Sequence, residues 1–306
     1  MQPASPQQRR NVHIGIVCVL VGAIGFSGKP VLVKAAYQYG VDTTTLLALR
    51  MLFSAPWFLA MAWWAGRPTT TISRREIAGI ITLGFIGYYL ASFLDLAGLQ
   101  YISAGFGRLI LYLYPTLVLL MSAIFLKQPL RATQLASLAL SYAGIALVFS
   151  AEAHLGEDLG LTILGAALVF ASAVAYATYL VAGSRLVHRF GSMRFTAYAS
   201  LLATGFVMAH FFALRPVQAL VVNHEVYVVV AILAVFSTVL PIWLMSEGLK
   251  RIGANQVSLI GCVGPLATMA FAWAFLGEVI SLTQLAGAAL VLAGVLIISI
   301  KPSSNA

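Results

Sequence analysis

Apolar residues in this chain gather into ten runs, and no other feature constrains the fold so tightly. The runs are Val12–Ala36, Thr44–Ala65, Glu76–Gln100, Ser103–Leu126, Thr133–Ser150, Leu159–Gly183, Met193–Leu214, Val226–Glu247, Gly253–Leu276 and Ser281–Ile300. About 20 mostly apolar residues carry a helix across the hydrocarbon core, where each backbone amide must be satisfied within its own segment. Composition agrees: 61% of residues are hydrophobic and 9% charged, whereas soluble domains carry about 25% charged residues. A chain so poor in charge needs lipid, not water, around it. The expected fold is an all-α membrane protein of ten transmembrane helices.

The connecting segments are short and their charge is one-sided. Lys127–Arg131 separates the fourth and fifth runs and Gly277–Val279 the ninth and tenth, so both pairs are expected to be tight antiparallel hairpins. With the N-terminal tail in the cytoplasm, that side receives Arg9, Arg10, Arg67, Arg74, Arg75, Lys127, Arg131, Arg185, Arg189, Arg194, Lys250, Arg251 and Lys301. The outer side receives Lys34 and Arg215, with Asp42, Glu152, Glu157, Asp158, Glu225 and Glu278. Thirteen basic residues against two is the bias of the positive-inside rule, and it places both termini in the cytoplasm. The net charge of +9 is thus accounted for by topology, without nucleic acid as a partner. Cys18 and Cys262 fall inside runs and suit neither a disulfide nor a metal site. The first run is too long for a signal-peptide core and is read as a retained anchor.

Sliding the chain by 150 residues aligns it with itself. Gly98-Leu99 falls on Gly248-Leu249, Pro115 on Pro265, Phe125-Leu126 on Phe275-Leu276, Thr133–Ala136 on Thr283–Ala286, and Ala143-Gly144 on Ala293-Gly294. About a third of positions from Gly98 to Ser150 match without a gap. Five helices per copy is an odd number, so the second copy enters the membrane from the opposite side. The domain reading is a tail (1–11), a first five-helix repeat (12–150), an outer linker (151–158), an inverted second repeat (159–300) and a tail (301–306). Inverted repeats are a recurrent device for alternating access to a central site.

The stretches GLQYISAGFGRLILYLYPTLVLLMSAIF and GLKRIGANQVSLIGCVGPLATMAFAWAF, each followed by a turn and a TQLA-bearing last helix, resemble the two EamA domains of the drug/metabolite transporter superfamily. The second copy keeps the Gly277-Glu278 pair of that pattern, where the first has Lys127-Gln128. Gly264 stands before Pro265 where a glutamate is common. The resemblance implies a secondary transporter. Its members export amino acids and other metabolites, or move nucleotide sugars or lipid-linked groups.

Four ionisable residues lie within the apolar runs: Lys29, Arg50, Asp95 and Arg108. At 1.5 Å per residue, all four fall about 7–10 Å below the outer surface, and charged side chains at membrane depth mark solute paths by default. Three cations against one anion suit a carboxylate-bearing solute, held by Lys29 or Arg108, with Asp95 pairing with a cation or titrating. The alternative is structural: Asp95 and Arg108 pair across their hairpin, while Lys29 and Arg50 snorkel to the interface. Arg50 and Glu247 are the weaker candidates, structural or coupling. Pro30, Pro115 and Pro265 are candidate hinges, the last two being repeat equivalents. Tyr89, Tyr112 and Tyr176, with Tyr88, Phe93, Tyr114 and Tyr179, are candidates to line an amphipathic cavity. His154, His188, His210 and His224 lie in or near loops and lack ligand spacing.

GFSGKP at Gly25–Pro30 lacks the earlier glycine and the Ser/Thr of a phosphate-binding loop, and no protease or nucleotide motif is present. Neither an enzyme nor an ATP-driven pump is expected, and no cofactor or metal is implied. The expected function is export of amino acids or related carboxylate-bearing metabolites across a bacterial inner membrane, with protons as a candidate coupling ion and lipid as the surrounding partner. Two alternatives stand beside it: a flippase for a lipid-linked anionic group, and a non-transporting receptor or assembly partner.

Overall fold

The computed structural model describes residues 6–66, 72–125, 130–155, 158–261 and 263–300. Arg67, Lys127, Gln128, Glu157, Cys262, the first five residues and the whole expected C-terminal tail with Lys301 lie outside the described residues. The described residues are helical and contain no strand. In chain order the helices are α1 (Pro6–Tyr37), α2 (Thr43–Trp64), α3 (Arg74–Gly84), α4 (Ala91–Gly98), α5 (Ala104–Leu111), α6 (Tyr114–Phe125) and α7 (Ala132–Leu155). There follow α8 (Leu159–Phe190), α9 (Ser192–Leu214), α10 (His224–Ala234), α11 (Leu240–Gly261), α12 (Val263–Leu276) and α13 (Leu282–Ile300). Eight of the resulting helical segments are long and apolar enough to cross a membrane, and Val263–Leu276 and Leu282–Ile297 are shorter apolar helices.

Local chemistry starts and stops these helices. Asp42 caps α2 by accepting from the amides of Thr44 and Thr45, and Ser73 forms a reciprocal capping box with Glu76 at α3. Each cap satisfies amides that a helix start leaves open. Arg194 donates to the carbonyls of Ala65 (2.6 Å) and Gly66 at the far end of α2. Gly277 turns the chain between α12 and α13 with φ of 66°, a conformation that costs glycine little. Large apolar side chains face outward, Trp63 at 88% exposure and Leu282 at 85%, as lipid contact requires.

Several boundaries differ from the apolar pattern. Helix α7 runs on to Leu155, past Ser150, and carries Glu152 into a buried position. Helical structure continues through Leu240–Gly261, where the pattern suggests a turn between the eighth and ninth runs. The physical difference is a cap: Ser103 accepts from the Phe106 amide and starts α5, while its repeat equivalent is Gly253, which has no side chain to do so. The chain nonetheless reverses against α1. Gly22 lies by Met245 and Gly15 by Ile252, whereas Ser27 meets Gly264 and Lys34 meets Glu278.

Two internal crossings carry the symmetry of the sequence repeat. Helices α7 and α13 cross antiparallel: Ser137 Oγ donates to the Gly294 carbonyl, and a Cβ on Gly144 would lie 2.6 Å from the Gly287 carbonyl oxygen. Residues 137 and 287, and 144 and 294, are each 150 apart, so each surface meets the equivalent of itself, as in a two-fold contact. The second crossing occurs twice. Gly248 packs on Val19 and Gly15, and Gly98 packs on Val169 and Gly165. Wider π turns interrupt the third and eighth spans at Phe85–Leu90 and Val235–Val239, again 150 residues apart.

Close small-residue contacts of this kind hold membrane helices together. Gly294→Val, which drives a side chain into Ser141 and the Ser137 carbonyl, is expected to lower the melting temperature of the purified protein by the equivalent of about 1–3 kcal/mol. Gly205→Ala is the control, since nothing lies within 4 Å of a Cβ there, and it should leave the melting temperature unchanged.

Candidate functional site

Two contacts fix α1 against α12. Ser27 Oγ donates to the Gly264 carbonyl at 2.8 Å and Thr268 Oγ1 donates to the Ser27 carbonyl at 3.0 Å. The next residues toward the end of α1 are Gly28, Lys29 and the buried Pro30, and the helix continues unbroken through that proline. Lys29 Nζ reaches Asp95 Oδ2 on α4 at 2.7 Å, with side-chain exposures of only 16% and 7%. Sequence separation is 66 residues.

Arg50 enters the same cluster from α2. It is 4% exposed, and its Nη2 donates to Ser92 Oγ at 3.0 Å. Ser92 and Asp95 are three residues apart on α4 and so share one face. That face follows the π turn at Phe85–Leu90, whose extra residue per turn changes the direction in which the following side chains point; such turns recur at functional sites. Arg108 on α5 lies over the Tyr112 ring, 5.5 Å from its centroid. Asp95, Arg50 and Arg108 are the charged groups whose fields act on Lys29.

The alternative pairing of Asp95 with Arg108 is not the one formed: Asp95 pairs with Lys29. Arg50 does not snorkel outward but lies buried. Arg50 Nε and Arg108 Nε are buried with no hydrogen-bond partner. Three cations share one carboxylate in the cluster, and a buried charge without a counter-ion costs several kcal/mol. The repeat does not supply one. The positions 150 residues on from Lys29, Arg50, Asp95 and Arg108 are Tyr179, Ser200, Met245 and Ser258.

Tyrosines lead away from Arg108 in a line. Ring centroids of Tyr112 and Tyr114 are 6.1 Å apart, Tyr114 and Tyr176 5.2 Å, Tyr176 and Tyr179 5.9 Å, and Tyr179 and Tyr88 5.2 Å. Tyr88 and Tyr179 also bring their hydroxyls to 3.3 Å. Tyr112 Oη donates to the Gly261 carbonyl and sits against Gly264, in space that a side chain at 264 would claim. Tyr89 faces elsewhere: its hydroxyl meets His210 Nδ1 at 2.9 Å, with Phe85 and Phe206 beside its ring. His210 lies within α9, not in a loop. Glu247 pairs with Arg251 at 3.4 Å, one turn along α11 and apart from the cluster.

The prolines differ in effect. Pro115 is the second residue of α6, directly after the break at Tyr112-Leu113, and Pro265 is the third residue of α12. Pro30 breaks nothing.

Sequence reasoning did not find the outer clamp. Glu152 accepts from the Ser103 amide and hydroxyl, the latter at 2.8 Å, and Glu278 accepts from the Ala104 amide at 2.9 Å. Lys34 Nζ stands 3.4 Å from Glu278. Two carboxylates, one from each repeat's last hairpin or helix, thus hold the positive N-terminus of α5. The Gly277-Glu278 pair was visible in the sequence, but its partner was not. An open cleft of about 690 Å³, lined by Lys34, Tyr37, Asp42, Gln100 and Glu278 among others, adjoins this clamp.

The model of the EamA-like transporter family matches residues 13–150 and again 163–300, two copies in the register of the 150-residue repeat. "Uncharacterized transporter YcbK" of Bacillus subtilis (strain 168) is 29% identical over 302 residues, spanning 94% of this chain and 93% of that protein. "Uncharacterized inner membrane transporter YicL" of Salmonella typhimurium is 24% identical over 301 residues, spanning 95% and 97%. A solved crystal structure superposes with a TM-score of 0.66 at 17% identity, over 95% of this chain and 96% of that one, a likeness of fold alone.

Removing Asp95 strips the cluster of its one carboxylate. Asp95→Asn is expected to destabilise the protein by about 3 kcal/mol, the usual cost of breaking a buried pair, read as a fall in melting temperature. The double variant Lys29→Met/Asp95→Leu, which removes both charges, should melt above the single one. If the single variant melts as the parent does, the pair is not holding α1 to α4.

Proposed function

The chain belongs to the EamA-like transporter family, and on that premise we propose a secondary active transporter that alternates access to the Lys29, Arg50, Asp95 and Arg108 cluster. Family membership and the apolar helices make it an integral membrane protein that moves a small solute. The proposal adds ten crossings, arranged as five-helix repeats inverted across a bacterial inner membrane with both termini cytoplasmic. What supports inversion is the α7–α13 crossing. Equivalent helices meet there antiparallel, and a two-fold axis relating antiparallel helices lies perpendicular to them, in the membrane plane. Exchanging the conformations of such repeats moves access from one side to the other.

The solute class is read from the charge of the cluster, which is the observation that carries the proposal. Two guanidinium Nε atoms are buried without partners, and an entering carboxylate supplies a counter-charge that the cluster lacks. Amino acids and related carboxylate-bearing metabolites are the proposed solutes, moved outward. Asp95 is the proposed coupling residue, since a solute carboxylate competes with it for Lys29, and protons are the proposed coupling ion. Tyr112 and Tyr176 line the proposed path. Pro115 and Pro265, repeat equivalents in the first turns of α6 and α12, are the proposed hinges.

Counterflow in proteoliposomes tests this reading. Vesicles preloaded with a panel of amino acids and organic acids should show saturable exchange of at least one labelled carboxylate solute. Lys29→Ala, checked for folding by its melting temperature, should lower that exchange about tenfold or more. Exchange at the parent rate in this variant would take Lys29 out of the solute path.

A further inference from the structure

Taking the cluster as a carboxylate site, as above, we infer that it selects organic acids lacking an α-ammonium group over the corresponding zwitterionic amino acids. This narrows the solutes proposed above to the members without an ammonium: 2-oxo acids, 2-hydroxy acids and dicarboxylates. An amino acid presents two charges and needs a site with both signs open. Here the negative half is already taken. Asp95 is 5% exposed and bonded to Lys29 at 2.7 Å, with Arg50 also in its field.

The neighbouring carboxylates are committed as well. Glu152 and Glu278 accept from the first amides of α5, and Asp42 caps α2 while standing 3.4 Å from Arg215. Three hydroxyls here have their own bonds: Ser92 accepts from Arg50, Tyr37 donates to the Leu96 carbonyl, and Tyr112 donates to the Gly261 carbonyl; Ser54 Oγ, one turn from Arg50, is buried without a partner but carries no charge to hold an ammonium. The charged atoms left unsatisfied are Arg50 Nε and Arg108 Nε, both donors. A zwitterion would leave the positive excess of the cluster unchanged and bring an ammonium against three cations. An organic acid brings only the sign that the cluster lacks, and a like charge set into such a site is heavily disfavoured. The tyrosine line from Tyr112 to Tyr176 gives a flat or branched apolar body a surface to lie on.

Matched pairs isolate the ammonium. The full-length protein in lipid nanodiscs is titrated with phenylpyruvate against phenylalanine, 2-oxoisocaproate against leucine, and succinate against aspartate. The acid of each pair should bind about tenfold tighter or more than its amino partner. In Arg108→Gln that preference should shrink, with the melting temperature retained; the comparison on the parent protein stands even if this variant does not fold. Amino acids binding as tightly as their partners would overturn the inference and leave the carboxylate site standing. No binding by any of the six would remove the carboxylate site itself, and the inference with it.

Discussion

A lysine ammonium and an aspartate carboxylate meet at 2.7 Å between α1 and α4, in surroundings where neither keeps its charge cheaply alone. The arrangement of the first repeat follows from that contact. It ties the two helices that flank the cluster, and it commits to Lys29 the carboxylate in whose field Arg50 also lies. Ser92 takes part of Arg50's bonding capacity, and the Tyr112 ring part of Arg108's. What remains is a buried positive excess inside an otherwise apolar protein. Such an excess is costly as structure and useful as a binding site.

The backbone around this cluster is close to symmetric, while the charges are not. Gly15 and Gly165 pack alike, the π turns at Phe85–Leu90 and Val235–Val239 occupy equivalent places, and both α6 and α12 carry a proline in their first turn. Lys29 has Tyr179 as its counterpart, and Asp95 has Met245. Packing is carried by small residues that recur in both halves; the buried charges of the cluster occur in one.

Much of this was legible in advance, and the limits have physical causes. Apolar run length located the helices, because hydrocarbon thickness sets that length. Membrane depth singled out Lys29, Arg50, Asp95 and Arg108, because charge there is rare. Which cation would take Asp95 could not be read, since Arg108 is near in sequence while Lys29 is near only in the folded bundle. The faces of Tyr88 and Tyr89 were equally closed to inspection. A π turn sits at those residues and displaces the 3.6-residue periodicity, and FIGYYL shares no residue in register with VFSTV. The length of α7 was missed because Glu152 reads as a loop residue until the Ser103 amide is seen beside it.

The α7–α13 crossing has an implication for where such a chain comes from. A surface that meets its own equivalent is one that a five-helix protein could form with a second copy of itself, inserted the other way up. Two separate copies would have to carry the same residues on both sides, so any lysine or aspartate would appear twice. Joining the copies into one gene removes that restriction. Lys29 and Asp95 can then stand in one half where the other has Tyr179 and Met245, and a symmetric shell comes to hold its charge on one side.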